Sequence, residues 1–191
     1  MIYIIVGQQG SGKTLLAVKE LLSYHRKKYK IISNVNLLGV KHDIIDYDKV
    51  VNCEYDKAVV FIDEIHQLLP ARGSMSKKSI AIVDGFLSMI RKKKVILIGT
   101  TQYERKMDVR LRMEKDYLIM CERYICINNS FQKASPDFFD SNVPAIISCK
   151  AHCIFDQSRQ DFFFIANHYY KYYDTRQIIL IRKSKKEDKH E

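Results

Sequence analysis

The chain has 191 residues and a mass of 22.4 kDa, with 47% hydrophobic and 28% charged residues, which is typical of one globular domain and excludes a disordered chain. No apolar run approaches the roughly 18 residues of a membrane span, and the amino terminus has no basic region of the signal-peptide kind, so we expect neither a membrane-spanning nor a secreted protein. The net charge of +10, most of it from lysine, indicates a polyanionic partner, and nucleic acid is the one we expect.

Strands and helices alternate in the first hundred residues. Short apolar runs, typical of buried parallel strands, occupy Ile2 to Val6, Lys30 to Ser33, Ala58 to Ile62 and Val95 to Gly99. Helices are predicted from Thr14 to about Lys28, from Glu64 to Leu69, and from Lys77 to about Lys93 with Ile80, Val83, Leu87 and Ile90 as its apolar face. Ala71 to Ser79 is rich in Gly, Ser and Lys, which predicts a mobile loop.

Strands dominate after residue 100. They are predicted at Asp116 to Ile127, in a hairpin that joins Ala145 to Phe155 with Asp161 to Asn167, and at Gln177 to Ile181. The pattern is that of an α/β fold with a mainly parallel core sheet and a β-rich C-terminal extension. We predict one domain over residues 1–182 and a charged tail over residues 183–191.

The strongest motif lies between the first strand and the first helix. It is an eight-residue phosphate loop of the form G-x-x-x-x-G-K-[ST], made of Gly7, Gln8, Gln9, Gly10, Ser11, Gly12, Lys13 and Thr14. Its glycines allow backbone N–H groups to surround phosphate oxygens, and the helix N-terminus adds partial positive charge. Lys13 is expected to reach the β- and γ-phosphates of ATP, and the Thr14 hydroxyl to ligate Mg²⁺.

A pair of carboxylates ends the third strand. Asp63 and Glu64 follow the apolar run Ala58 to Ile62, at the strand end where ligands bind in open α/β sheets. We expect Asp63 to take part in the Mg²⁺ shell and Glu64 to orient and polarise the attacking water.

The strand that begins at Val95 ends in Gly99-Thr100-Thr101-Gln102. In P-loop ATPases of the additional-strand class this strand lies between the strand of the phosphate loop and the strand of the acidic pair. On that reading Gln102 faces the γ-phosphate and acts in catalysis.

These motifs together resemble the FtsK–HerA superfamily of RecA-like P-loop ATPases, and within it the Zot-like phage proteins and the viral genome-packaging ATPases. The segments that carry the resemblance are Gly7 to Leu16, Val59 to Arg72, Arg91 to Gln102, Asp108 to Cys121 and Tyr172-Tyr173-Asp174-Thr175. Zot-like assembly proteins usually have a membrane span after the ATPase domain, whereas this sequence shows none, which favours a packaging motor.

The resemblance implies an ATP-hydrolysing DNA translocase that works as a homo-oligomeric ring, with a capsid or virion-assembly protein as a further partner. It also implies an arginine finger offered to the neighbouring subunit. Arg91 is the first choice because it ends the helix that leads into the Gln102 strand, and Arg72, Arg110 and Arg112 are the alternatives.

Two further expectations concern partner and compartment. Lys77 and Lys78, in the loop after the acidic pair, are expected to contact double-stranded DNA without regard to its sequence, because lysine attracts phosphate without reading bases. Five cysteines, an odd number, predict reduced thiols and hence the cytoplasm, which is the host cytoplasm if the protein is viral.

Two other functions stay open on the sequence alone. A small-molecule kinase of the nucleoside type shares the length, the phosphate loop and the acidic pair, although the paired cysteines of a zinc site are missing from this sequence. A nucleotide-gated DNA-binding module with little turnover is the third function.

Overall fold

The computed structural model of the chain describes residues 1–71, 77–135, 138 and 140–173. Nine strands form one sheet: β1 Ile2–Val6, β2 Lys30–Ser33, β3 Asp43–Ile44, β4 Ala58–Ile62, β5 Ile96–Thr101, β6 Tyr117–Ile127, β7 Ser130–Lys133, β8 Ala145–Cys153 and β9 Arg159–Ile165. The helices are α1 Lys13–Arg26, α2 Tyr47–Val51, α3 Ile65–Leu68, α4 Lys77–Lys92 and α5 Val109–Met113. Single 3₁₀ turns occupy Glu104–Lys106, Ala166–His168 and Tyr170–Tyr172.

The strand order is β3-β2-β4-β5-β1-β6-β8-β9, and β7 pairs with β6 outside that path. Strands β1 to β5 pair in parallel, as does β1 with the start of β6. The pairs of β6 with β7, β6 with β8 and β8 with β9 are antiparallel. The predicted fold class is therefore confirmed, including the position of β5 between the strand of the phosphate loop and that of the acidic pair.

Each face of the sheet has its own core. Helix α1 covers one face, where its Leu16 and Leu21 pack with residues such as Phe61. Helix α4 lies on the other face, where Phe86 and Met89 pack with Val60 and others. Because the central strands are buried on both faces, they are continuous apolar runs, as parallel strands usually are.

The predicted apolar face of α4 was partly wrong: Val83 is buried, and Leu87 and Ile90 are partly buried against the core, but Ile80 is not part of that face. Ile80 is 42% exposed, and the buried side chains are Ile82, Val83, Phe86 and Met89. These positions still follow the helical repeat, and the stripe is displaced because it must meet both the sheet and α2.

Strand β7 was not predicted. It forms a tight hairpin with β6 through Asn128 and Asn129, which both have positive φ, at 50° and 59°. Asparagine tolerates this left-handed backbone, and two-residue hairpin turns of type I′ require it at both positions. The hairpin of β8 and β9 was predicted, whereas the predicted strand Gln177 to Ile181 and the charged tail lie outside the described residues. In the described part of the chain, no helix combines the length and the hydrophobicity that crossing a bilayer demands.

Candidate functional site

The phosphate loop connects the end of β1 to the start of α1 at the carboxyl edge of the sheet. Two of its glycines have no room for a side chain. A Cβ on Gly7 would lie 2.6 Å from the carbonyl oxygen of Cys121, and one on Gly12, where φ is 91°, would overlap Ile147. The loop is therefore fixed against β6 and β8, and Ser11 contributes a buried hydroxyl with no hydrogen-bond partner among the described residues.

Lys13 lies under this loop and is only 6% exposed. Its Nζ donates a hydrogen bond to the carbonyl oxygen of Gln8 at 3.0 Å. Burial lowers the pKa of the Lys13 ammonium, and the charges of Glu64 and Asp63 partly oppose that shift. The cation is thus held between the loop and the acidic pair, where it is suited to a phosphate.

The Asp63 carboxylate meets the first turn of α1. The Thr14 hydroxyl donates to Asp63 Oδ1 at 3.0 Å, and the Thr100 hydroxyl donates to the same oxygen at 2.5 Å. Asn34, just past β2, fixes the backbone: its Nδ2 donates to the Asp63 carbonyl at 3.0 Å, and the Asp63 N–H donates to Asn34 Oδ1 at 2.8 Å. Carboxylate and hydroxyl oxygens are what Mg²⁺ prefers, so Thr14 and Asp63 fit that ion.

Glu64 adopts a left-handed backbone conformation, with φ and ψ both at 50°. This conformation is uncommon for a residue with a side chain, and the hydrogen bond from the Glu64 N–H to the Thr100 hydroxyl, at 2.9 Å, supports it. Burial raises the pKa of the Glu64 carboxyl. A carboxylate of raised basicity beside a phosphate site is suited to accept a proton from water.

His66 lies next to this carboxylate. Its Nδ1 is 3.2 Å from Glu64 Oε2 and shares a hydrogen bond of 3.1 Å with the Thr101 hydroxyl. Burial and the nearby Lys106 and Lys13 lower the pKa of His66, so the imidazole is neutral at neutral pH. Glu64 Oε2 has no hydrogen-bond partner among the described residues, so His66 is bonded to the end of β5 and lies beside the acidic pair without adding a charge.

A cavity of about 280 Å³ adjoins the outer side of the loop between Gly7 and Ser11. Strands β6, β7 and β8 form its other walls, and its charged lining residues are Glu122, Arg123, Lys133 and Lys150. Arg123 is 7% exposed and its guanidinium donates to the backbone carbonyls of Ser135 and Phe138. The cavity thus has an excess of positive charge and suits an anionic ligand.

The family model for the ATPase family associated with various cellular activities (AAA) matches residues 3–122. The chain belongs to the AAA family of ATPases. The matched residues include the phosphate loop, the acidic pair and β5, whereas the cavity residues Arg123, Lys133 and Lys150 lie outside the match. No curated protein matches the sequence.

Solved structures share this AAA fold at low identity. The N-terminal domain of zonular occludens toxin from Neisseria meningitidis has a TM-score of 0.61 and 17% identity, with 91% of this chain and 98% of that chain covered. The genome packaging NTPase B204 from Sulfolobus turreted icosahedral virus 2, in complex with ATP-gammaS, has a TM-score of 0.56 and 16% identity, with 84% and 95% covered. The expected resemblance to Zot-like and packaging ATPases is confirmed as a likeness of fold.

The structure brings most of the predicted site residues of this AAA domain together. Lys13, Thr14, Asp63 and Glu64 meet at the carboxyl edge of the sheet. Gln102 follows the last residue of β5, which pairs with Val6, so Gln102 stands level with the start of the phosphate loop. The roles assigned to these residues stay predictions.

The basic residues lie elsewhere. Arg91 is in the last turn of α4, with its guanidinium 2.7 Å from Glu114 Oε1. Lys77 is the exposed first residue of α4 and Lys78 is the second, so both belong to the helix rather than to the loop that was predicted to reach Ser79. Arg72 lies outside the described residues.

Three contact residues were not predicted to act at the site: Asn34, Thr100 and Tyr173. The first two were visible as polar residues at strand ends, the signal that identified Asp63. The third comes from a segment 110 residues away in the chain, and its OH donates to Asp63 Oδ2. Its only signal was the resemblance of Tyr172-Tyr173-Asp174-Thr175 to an element of the Zot-like domain.

Proposed function

We propose that the chain is an ATP-hydrolysing DNA translocase, a motor for viral genome packaging or phage assembly. The observation that carries the proposal is the meeting of Lys13, Thr14, Asp63 and Glu64 beside the phosphate loop. Membership of an ATPase family and the fold shared with a packaging NTPase support it.

In this proposal the loop binds the phosphates of ATP and Lys13 balances their charge. Thr14 and Asp63 hold Mg²⁺, which when bound neutralises charge on the phosphates. Glu64 takes the proton of the attacking water, and Gln102 faces the γ-phosphate. The cavity beside the loop, with its excess of positive charge, lies next to these phosphates and adds to the attraction that holds them.

DNA is proposed as the polyanionic partner because of the net charge of +10. Lys77 and Lys78 begin α4 with no acidic residue in its first turn, so lysine charge and helix dipole have the same sign there. Such a site attracts phosphate whatever the base sequence. Free thiols at all five cysteines support a cytoplasmic location, which is the host cytoplasm for a viral protein.

The test is ATPase activity with and without double-stranded DNA at several salt concentrations. We expect Mg²⁺-dependent turnover, stimulation by DNA, and binding that weakens steeply between about 50 and 200 mM salt. Salt-independent DNA binding, or turnover that requires a nucleoside acceptor and ignores DNA, would overturn the proposal and favour the kinase.

The lysine contacts have their own test. The double variant Lys77→Ala/Lys78→Ala should keep basal ATPase activity but lose DNA stimulation, with a salt slope smaller by about one unit per phosphate contact. The matched control is Lys27→Ala/Lys28→Ala, an exposed pair just after α1 at the opposite edge of the sheet. Equal DNA stimulation in both double variants would remove Lys77 and Lys78 from the DNA contact.

The ring and its arginine finger are proposed from the family resemblance, with a capsid or virion-assembly protein as the further partner. Arg91→Ala and Glu64→Gln subunits should each be inactive alone. Mixed in one ring, they should recover part of the activity, because an intact Arg91 then meets an intact Glu64 at some interfaces. Mixtures as inactive as the single variants would argue against a finger acting between subunits.

A further inference from the structure

The described chain ends by returning to the site. After β9 it passes through the two 3₁₀ turns Ala166–His168 and Tyr170–Tyr172 and reaches the segment that follows β2. There the N–H of Leu38 donates to the carbonyl of Tyr172 at 2.9 Å. Tyr173 comes next, is 8% exposed, and packs in the core that α1 covers.

The phenol of Tyr173 has a specific acceptor in that core. Its OH donates to Asp63 Oδ2 at 3.3 Å. The other oxygen of the same carboxylate, Oδ1, accepts from the hydroxyls of Thr14 and Thr100. Both oxygens of Asp63 are therefore held, each from a different direction.

We propose that Tyr173 is a positioning residue: its hydroxyl holds Oδ2 so that Oδ1 stays turned toward Thr14, ready for the metal. The inference rests on the proposed function, in which Thr14 and Asp63 hold Mg²⁺. A hydrogen bond to a charged acceptor is stronger than a neutral one, and it restricts rotation of the carboxylate about its last bond. Asp63 is only 7% exposed, so water is poorly placed to replace the phenol.

The alternative is that Tyr173 contributes only its packing in the core and that its hydroxyl has no role. The variant Tyr173→Phe distinguishes this alternative from the proposal. It keeps the ring and its apolar contacts and removes only the hydroxyl. The matched control is Tyr172→Phe, because Tyr172 lies in the same turn and holds the adjacent segment with its carbonyl rather than with its hydroxyl.

The measurement is the affinity of the full chain for ATP by calorimetry, in Mg²⁺ and in EDTA. The ratio of the two dissociation constants is the metal increment. At 3.3 Å the bond is longer than an ordinary O–H···O hydrogen bond, so we expect Tyr173→Phe to reduce this increment about threefold, the equivalent of about 0.7 kcal/mol. Affinity in EDTA should stay unchanged, and Tyr172→Phe should keep the wild-type increment.

A second arm tests whether Tyr173 acts through Asp63. In an Asp63→Asn background, Tyr173→Phe should cause no further change, as expected when two residues share one interaction. The inference would be overturned if Tyr173→Phe and Tyr172→Phe had the same metal increment. It would also be overturned if Tyr173→Phe lost the same amount of ATP affinity in Mg²⁺ as in EDTA. A wild-type chain with no metal increment would instead refute the proposed function and this inference with it.

Discussion

Thr100 is the residue whose loss should damage the site most for the smallest change in shape. Its buried hydroxyl donates to Asp63 Oδ1 at 2.5 Å and accepts from the Glu64 N–H at 2.9 Å. Thr100→Val keeps the branched shape and removes both bonds. A hydrogen bond to a charged acceptor contributes about 1.5–3 kcal/mol and a neutral one about 0.5–1.5 kcal/mol. We therefore expect Thr100→Val to lower the free energy of unfolding by about 3 kcal/mol.

For a domain of this size that loss corresponds to a fall of roughly 6–12 °C in the thermal midpoint, measured by circular dichroism. Turnover should fall further than ATP affinity, because the phosphate loop is untouched while Glu64 loses the support of its left-handed backbone. Thr100→Ser retains a hydroxyl and should recover most of both properties.

The matched control is Ser33→Ala. Ser33 is also buried at a strand end, and its hydroxyl accepts from the Val35 N–H at 3.1 Å without touching a carboxylate. One neutral bond of about 1 kcal/mol corresponds to roughly 2–4 °C. If Thr100→Val costs no more than Ser33→Ala, the argument that Thr100 anchors the acidic pair is refuted.

Four further predictions concern the site. Lys13→Ala should weaken ATP binding. Glu64→Gln should bind ATP normally and lose turnover, so wild-type turnover in this variant would exclude Glu64 as the base. Burial raises the pKa of the Glu64 carboxyl from its ordinary 4.5 in the nucleotide-free chain, and protonation should abolish the base as pH falls. The half-maximal point of kcat/KM, which reports the free enzyme, should therefore lie above pH 4.5, and a lower value would contradict the assignment. Gly12→Ala should abolish ATP binding because its Cβ overlaps Ile147 at a φ of 91°, and a variant that binds ATP normally would show that the loop can move.

Continuous motifs made half of this site predictable. The phosphate loop is eight consecutive residues with a strand before it and a helix after it, and the acidic pair directly follows β4. Asn34 and Thr100 also follow or end strands, but their meeting with Asp63 depends on the order β2-β4-β5, which brings the three strand ends side by side. Strand order is a property of the folded sheet, so these partners could be identified only after it was known.

The remaining differences have local causes. The stripe of α4 was displaced because periodicity gives the spacing of buried residues and not the direction in which α2 and the sheet approach. Tyr173 could not be assigned to the site because its contact with Asp63 spans 110 residues, and no local pattern encodes a contact of that range. The adjacent asparagines Asn128 and Asn129, by contrast, are a turn signal visible in the sequence, and they could have predicted the hairpin that contains β7.

The position of Arg91 bears on how the proposed ring works. Arg91 precedes β5, whereas Thr100 lies near the far end of that strand and the acidic pair follows the neighbouring β4; the strand from Ile96 to Thr100 alone spans roughly 13 Å at about 3.3 Å per residue. Arg91 therefore lies at the edge of the sheet opposite to the phosphate loop of its own subunit. It can contact a nucleotide only if that nucleotide is bound to a neighbouring subunit. Its ion pair with Glu114 is exposed, with 61% and 45% of the side chains accessible, and exposed pairs contribute only about 0–1 kcal/mol. A phosphate can displace such a partner at little cost.

Arg110 is less free, since it bonds to both Asp108 and Asp84 and its side chain is 34% exposed. The geometry therefore favours Arg91 over Arg110 as the finger.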